Sequence, residues 1–219
     1  MTLSICVPWR SDNAHRARAW EWVRARYELL WPEAEIVVAD SDGETFSFTQ
    51  AANRAVKQSS GDVVLIASAE IACDLGYLMH AYDHARTQLV VAEEYHYLTE
   101  PDSEALLSQP PDVDIDVPET TEWSGPGMGH FMLPRVAFEA VGGYDERHTG
   151  WGWEDLCLAL AVETLWGPML RIPGRVFHFW HPRSPETTTN HPKAQEQIML
   201  TQRYQAAVGN PDAMRTLIG

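Results

Sequence analysis

Two adjacent carboxylates, Glu154 and Asp155, follow a loop rich in glycine and tryptophan and lead into the apolar segment LCLALAV. A carboxylate set beside an acceptor can take the proton from an attacking hydroxyl, and the indole faces of Trp151 and Trp153 suit the C–H faces of a pyranose ring. Gly150 and Gly152 alternate with those rings, leaving the backbone free to approach a ligand closely. A plainer role is also open, since acidic residues commonly begin helices. In either role the segment that follows is apolar on nearly every side and reads as a buried helix. Glu154 and Asp155 then fall in its first turn, where unpaired N–H groups and the helix dipole are expected to hold them ionised.

The elements that must position this pair follow from periodicity. Leu3 to Val7 reads as a buried strand whose end Pro8 forces out of the sheet. Ala14, Ala17, Trp20, Val23, Tyr27 and Leu30 recur at helical spacing, which predicts a helix from Asn13 to Leu30, ended by Pro32. Residues 35 to 40 (EIVVAD) read as a strand, 46 to 58 as a helix, and DVVLIAS after Gly61 as a third strand. Such a β-α-β-α-β series predicts a parallel sheet with helices on both faces. Ligands of these sheets gather beyond the carboxyl ends of the strands, where Pro8 to Arg10, Asp40 and Ser68 to Glu70 fall. Residues 75 to 86 then read as a helix and 89 to 94 as a strand. The acidic, proline-bearing passage 99 to 122 has no period. It is expected to be a mobile, solvated loop, a lid or an acceptor contact, because Asp112, Asp114 and Asp116 lack the full calcium-loop spacing. Residues 131 to 133 predict a strand, with a helix from near Pro134. Met169 to Ile172 and Arg175 to Trp180 predict two short strands around Pro173-Gly174. Ser184 to Asn190 suits a flexible loop closing over a ligand, 194 to 208 a last helix, and the tail after Gly209 is expected to be loosely held.

The stretch VGGYDERHTGWGWED, Val141 to Asp155, resembles the acceptor-side motif of the inverting family 2 glycosyltransferases and their GT-A relatives, galactosyltransferases and polypeptide GalNAc-transferases among them. There a phrase of the form VGGFDE…GWGxED precedes a helix. The resemblance implies an α/β GT-A (Rossmann-like) fold with a mostly parallel central sheet, helices on both faces and a small secondary sheet. It also implies one domain over 1–219, with a nucleotide-binding half (1–98), the acidic loop (99–122) and an acceptor and donor-sugar half (123–219). Asp155 would be the general base and Glu154 would orient hydroxyls. Trp123, Trp151, Gly152 and Trp153 would shape the sugar and acceptor site, with the donor sugar over Gly127 to Gly129. Asp40 would accept from the N3–H of uracil, although Ser41-Asp42-Gly43 after it also makes a good turn. Asn53 and Arg54 resemble the family's NRG, which leans towards the nucleotide, and Pro8, Arg10 and Ser68 lie at the same strand ends. His130 suits either a sugar contact or a structural role.

At one corner the chain departs from that pattern. Where relatives end the third strand in Asp-x-Asp, this sequence has Ser68-Ala69-Glu70, a weaker set for Mn²⁺ or Mg²⁺. The resemblance gives Glu70 and His178 to the metal and His181 or Arg183 to the diphosphate, the assignment between the two histidines being open. Glu154-Asp155 stands where retaining relatives have Glu-Asn, which implies inversion.

Composition bounds these expectations. A net charge of -15, with Lys57 and Lys193 the only lysines, opposes a surface that grips nucleic acid or an anionic membrane as a whole. Arg10, Arg16, Arg18, Arg24 and Arg26 cluster near the N-terminus and mostly suit a solvated helix face. Cys6, Cys73 and Cys157 have no metal-type spacing and read as reduced core residues. No stretch has the length of a membrane span and the N-terminus lacks a signal-peptide core, so a soluble, cytoplasmic protein is expected. The function implied is hexosyl transfer from a UDP-sugar to a hydroxyl of a glycan, a protein or a modified nucleic acid. A non-catalytic nucleotide- or sugar-binding module is the alternative.

Overall fold

Along β1 (Leu3–Pro8) and β3 (Val63–Ala67) both alternating sets of side chains are buried, so these strands lie inside a sheet covered on both faces. The computed structural model of the chain describes residues 1–11, 13–116, 123–125, 128–149, 152–182 and 192–219. With α1 (Ala14–Leu30), β2 (Glu35–Ala39) and α2 (Phe48–Gln58), the two strands make the expected β-α-β-α-β series, and β1 pairs in parallel with both β2 and β3. Then follow β4 (Ile71–Cys73), α3 (Leu75–Ala85), β5 (Val90–Tyr97), α4 (Glu100–Leu107), β6 (Trp123–Gly125), β7 (His130–Pro134) and α5 (Arg135–Ala140). The series ends with α6 (Glu154–Leu165), β8 (Leu170–His178), α7 (Pro192–Ala207) and α8 (Pro211–Ile218).

The strand order is β2-β1-β3-β7-β5-β8-β4, with β6 on β5. This is the α/β class expected. β5 and β8 are parallel, whereas β7, β4 and β6 pair antiparallel with their neighbours. On one face Leu3, Ile5 and Val7 meet Trp20, Val23 and Tyr27 of α1 and Leu78 of α3. On the other, Cys6, Val64 and Ile66 share a core with Ala52 and Val56 of α2, Leu158 and Val162 of α6, and Leu217 of α8. Each fully buried aliphatic side chain contributes about 1.5–3 kcal/mol. All three cysteines are buried and free.

Several elements differ from the sequence expectation. Pro8 stays in the sheet, in register with Ala39, and the Trp9 N–H donates to the Ala39 carbonyl beyond it at 2.9 Å. The two strands expected around Pro173-Gly174 are one, β8: its register steps from Ala92↔Ile172 to Glu94↔Arg175, so a bulge absorbs the residue that lacks an N–H. The tail after Gly209 forms α8, begun by Asn210, whose side chain accepts from the Ala213 N–H, and anchored by buried Met214 and Leu217. In the passage from Thr99, α4 forms because Thr99 caps it and Pro101 sits in its first turn.

The residues after α4 are held by an arginine expected on a solvated face. Arg26, 2% exposed, donates to the carbonyls of Cys73 (3.0 Å), Pro111 (2.6 Å) and Val113 (2.8 Å). Trp22 adds a bond from its indole N–H to the Gln109 carbonyl at 2.9 Å. A guanidinium forks where an apolar side chain cannot, so one residue satisfies three inward-facing acceptors. Arg26→Met orphans all three at about 1–3 kcal/mol each before relaxation. We expect it to lower unfolding stability by about 3 kcal/mol in urea and to speed proteolysis between Ser108 and Asp116; an unchanged urea midpoint would refute this role.

Candidate active site

At the end of β3 the segment Ser68-Ala69-Glu70 makes a tight turn, closed by the Ile71 N–H on the Ser68 carbonyl at 3.1 Å. Because β4 then pairs antiparallel with β8, Ile71 lies opposite His178 and the Phe179 N–H donates to the Glu70 carbonyl at 2.9 Å. This register brings the imidazoles to the acid. Glu70 Oε1 lies 3.8 Å from His178 Nε2 and 3.7 Å from His181 Nε2, and Oε2 lies 3.3 Å from Arg16 Nη2. β8 ends at His178, so strand alternation no longer governs His181 and both histidines reach the same carboxylate.

Burial alone would raise the pKa of Glu70; Arg16, His178 and His181 outweigh it and hold the carboxyl below its ordinary value. Burial pushes His178 down to about 4, so its ring is neutral near pH 7 and keeps a lone pair to offer. The ligand atoms of Glu70, His178 and His181 all lie within 4.8 Å of one another, and His178 Nδ1 is buried with no partner among the described residues. One carboxylate and two imidazoles fit a divalent transition ion, Mn²⁺ better than the oxygen-seeking Mg²⁺.

The acid pair opens α6 as expected, but its entry is strained. Trp153, at the N-cap, has φ 67°, the one positive value at a non-glycine among the described residues. A bulky side chain in that region costs about 1–3 kcal/mol and persists where surrounding structure enforces it, often at functional sites. Asp155 Oδ1 accepts from the Tyr144 hydroxyl at 2.8 Å. Glu154 Oε2 is buried and unpartnered among the described residues, as an acceptor awaiting a hydroxyl would be. Both residues keep some exposure, yet protein atoms surround the carboxylates closely. The helix start does not offset their burial. Burial raises the pKa of Asp155 against the pull of Tyr144, and burial followed by the charge of Asp155 raises that of Glu154.

Two residues join this pair to the Glu70 cluster. Gly129 has φ 102°, and a Cβ there would sit 3.5 Å from Asp155 Oδ2, 3.6 Å from Ile71 and 3.9 Å from Tyr95. Buried Tyr95 of β5 feels both Glu70 and Asp155: burial first, then Tyr97, then those two carboxylates push its phenol well above the ordinary value. Its ring lies 5.3 Å from Tyr97 and 6.2 Å from His178. Neither tyrosine stood out in the sequence; their i, i+2 spacing around His96 was the available signal.

Other expected residues lie apart from this group. Arg10 donates from Nε to both oxygens of Asp40 (2.9 and 3.0 Å) and from its Nη atoms to the carbonyls of Glu44 (2.9 Å) and Ser41 (2.7 Å). Asp40 also accepts from the Ser41 N–H at 2.6 Å, and Arg10 above all holds it below its ordinary pKa. Arg54 braces the same turn, donating to the Asp40 carbonyl at 2.8 Å and pairing with Asp42 at 2.7 Å. Asn53 turns to the Tyr144 backbone. Trp9, not singled out beforehand, lies under the guanidinium of Arg16 at 5.2 Å and so links the end of β1 to Glu70. His130 belongs to the core: it is buried, 3.0 Å from the Tyr27 hydroxyl, and held by burial at a pKa of about 3. Trp123 opens β6 beside β5. Gly127, Trp151, Arg183 and the loop 184–190 lie outside the described residues. Depressions of about 280 and 330 Å³ flank the Gly142-Gly143 turn and share no residue with the acid pair or the histidines.

No family model and no curated protein matches the chain. Solved structures do. GalNAc-T7, crystallised with UDP, GalNAc and Mn²⁺, superposes over 99% of this chain with a TM-score of 0.60 at 14% identity, and the chain spans 54% of it. A mutant of Drosophila beta1,4-galactosyltransferase 7 in complex with manganese, UDP-Gal and xylobiose gives 0.57 at 13% identity over 90% of this chain and 79% of that one. S. aureus TarS gives 0.54 at 11% identity, covering all of this chain and 42% of its own. This chain therefore has a GT-A-like glycosyltransferase fold.

Proposed function

We propose that the protein transfers a sugar from a nucleotide-sugar, a UDP-sugar, to an acceptor hydroxyl with inversion at the anomeric carbon. The observation that carries this reading is the meeting of two unlike acid sites across Gly129 and Tyr95: an ionised Glu70 with two imidazoles on one side, and Asp155 with a raised pKa on the other. A base is most effective when its pKa approaches the working pH, which desolvation gives Asp155. In the proposed step Asp155 takes the acceptor proton while the acceptor oxygen bonds to the anomeric carbon. The bond from that carbon to the phosphate oxygen breaks, and the diphosphate leaves with the electron pair. Glu154 Oε2 accepts from a sugar hydroxyl, and the indole of Trp153 borders the sugar. Glu70, His178 and His181 would hold a divalent ion, which when bound neutralises the departing diphosphate. Asp40 keeps one lone pair for a uracil N3–H after its three existing bonds.

The route to a nucleic-acid acceptor through the arginine-rich helix has little support. Arg16 and Arg26 point into the protein, Arg18 pairs with Glu104, and Arg24 pairs with Glu28 at 2.8 Å. A non-catalytic binding module stays as the rival, favoured by the missing first carboxylate at Ser68.

Asp155→Asn should lower transfer and slow donor hydrolysis by about 10²- to 10⁴-fold while UDP affinity by calorimetry changes little. Full turnover in that variant would remove Asp155 as the base, and no turnover of any nucleotide-sugar by the wild type would favour the binding module. Mn²⁺ should raise the melting temperature of the wild type more than Mg²⁺ does, and His178→Ala should abolish the Mn²⁺ shift. An undiminished shift in His178→Ala would place the ion elsewhere.

A further inference from the structure

We propose that the Tyr144 phenol fixes the orientation of Asp155 and selects Oδ2 as its working oxygen, and that Asn53 serves the site through Tyr144 instead of touching the nucleotide. The functional consequence rests on Asp155 being the base; the geometry does not.

One amide grips the Tyr144 backbone from both sides. Asn53 Oδ1 accepts from the Tyr144 N–H at 2.8 Å, and Nδ2 donates to the Tyr144 carbonyl at 2.9 Å and to Glu146 Oε1 at 2.9 Å. The amide can come this close because the preceding residue is Gly143, where a Cβ would fall 2.5 Å from Asn53 Oδ1. Asn53 itself rides on α2, whose Ala52, Ala55 and Val56 are locked in the core. The Tyr144 ring is buried, with Phe48 edge-on at 5.6 Å and Phe138 at 6.1 Å. With backbone and ring both fixed, the hydroxyl has one place to go, and it donates to Asp155 Oδ1 at 2.8 Å.

That bond is the one donated to the Asp155 carboxylate among the described residues. It occupies Oδ1 and leaves Oδ2 towards Gly129, where the missing side chain leaves room beside Tyr95. A donor to the ionised form also favours that form. It opposes burial; the neighbouring titratable group on α6 is Glu154, and from β5 the facing one is Tyr95, itself within reach of Glu70. A merely structural bond would move the same titration but leave kcat unchanged.

The test follows that titration directly, by carboxyl-carbon NMR of the full chain labelled at aspartate, with Asp155→Asn identifying the resonance. Tyr144→Phe should raise the Asp155 midpoint by about one pH unit. The acid limb of kcat/KM should move the same way, with kcat falling about tenfold and donor KM nearly constant. Asn53→Ala should shift the midpoint in the same direction by less, and the double variant should go no further than Tyr144→Phe alone, as coupled residues behave. Should Tyr144→Phe fail to fold, 3-fluorotyrosine in place of Tyr144, a stronger donor with the ring retained, should lower the midpoint. An unmoved midpoint in a folded Tyr144→Phe or fluorotyrosine protein overturns the latch. An Asn53→Ala variant that raises donor KM and leaves the midpoint alone overturns the role given to Asn53. A shifted midpoint in a protein that turns over no nucleotide-sugar upholds the latch and sinks the transferase reading instead.

Discussion

A carboxylate taken out of water at the end of a strand costs several kcal/mol unless positive charge accompanies it; at Glu70 the Arg16 guanidinium supplies that charge, and two imidazoles from a distant part of the chain line the same carboxylate. Arg16 comes from α1, while His178 and His181 come from the end of β8. For all to converge, α1 must lie across β4 and β8 must pair with it. Both conditions are secured by bonds that do not involve the carboxylate. Arg26 of α1 donates to the Cys73 carbonyl of β4 at 3.0 Å, and Phe179 beyond β8 donates to the Glu70 carbonyl at 2.9 Å. The antiparallel β4–β8 pair is therefore more than an edge decoration of a Rossmann-like sheet, because it carries the imidazoles to the tip of β3.

Across Gly129 and Tyr95 the electrostatics reverse. Glu70 is held ionised chiefly by the charge of Arg16, whereas Asp155 and Glu154 have no cation among their causes of shift: burial raises both, and the charge of Asp155 raises Glu154 further. Acids whose environments drive them apart take different roles: one suits charge neutralisation, the other proton transfer. The strained backbone of Trp153 lies directly before the pair, at the entry to α6. Tyr144 tempers the shift at Asp155 alone, so the two neighbours are not equivalent.

Much of this was legible in the sequence where a local rule decides the outcome. The period-2 and helical patterns of the first 67 residues gave the parallel half, and the pair at the head of an apolar segment gave α6. Readings failed where a distant partner overrides the local rule. Pro173 looked like a strand break because nothing nearby reveals that β5 tolerates a bulge opposite it. Arg26 looked solvated because its three carbonyl partners lie 47 to 87 residues away. Asn53 resembled a nucleotide contact, and nothing local reveals that its amide bonds the Tyr144 backbone, 91 residues on. The helix start was expected to hold the acid pair ionised; its local effect of about 0.3–1 kcal/mol at exposed sites does not offset burial, which raises both pKa values.

The missing first carboxylate at Ser68 then has a consequence for the proposed reaction. Two carboxylates and a divalent ion sum to zero charge, so such a site presents a diphosphate with a neutral complex. Here one carboxylate and the Arg16 guanidinium already cancel, the imidazoles add nothing when neutral, and a bound divalent ion would leave a surplus of two positive charges. The exchange weakens the hold on the ion, which has one anionic ligand in place of two, and strengthens the attraction for the diphosphate leaving group, which gains a negative charge as the bond breaks, once the ion is in place. Without the ion Arg16 still leaves Glu70 compensated, so the empty corner is electrostatically neutral. A site of this kind is expected to depend on metal for rate more than for structure.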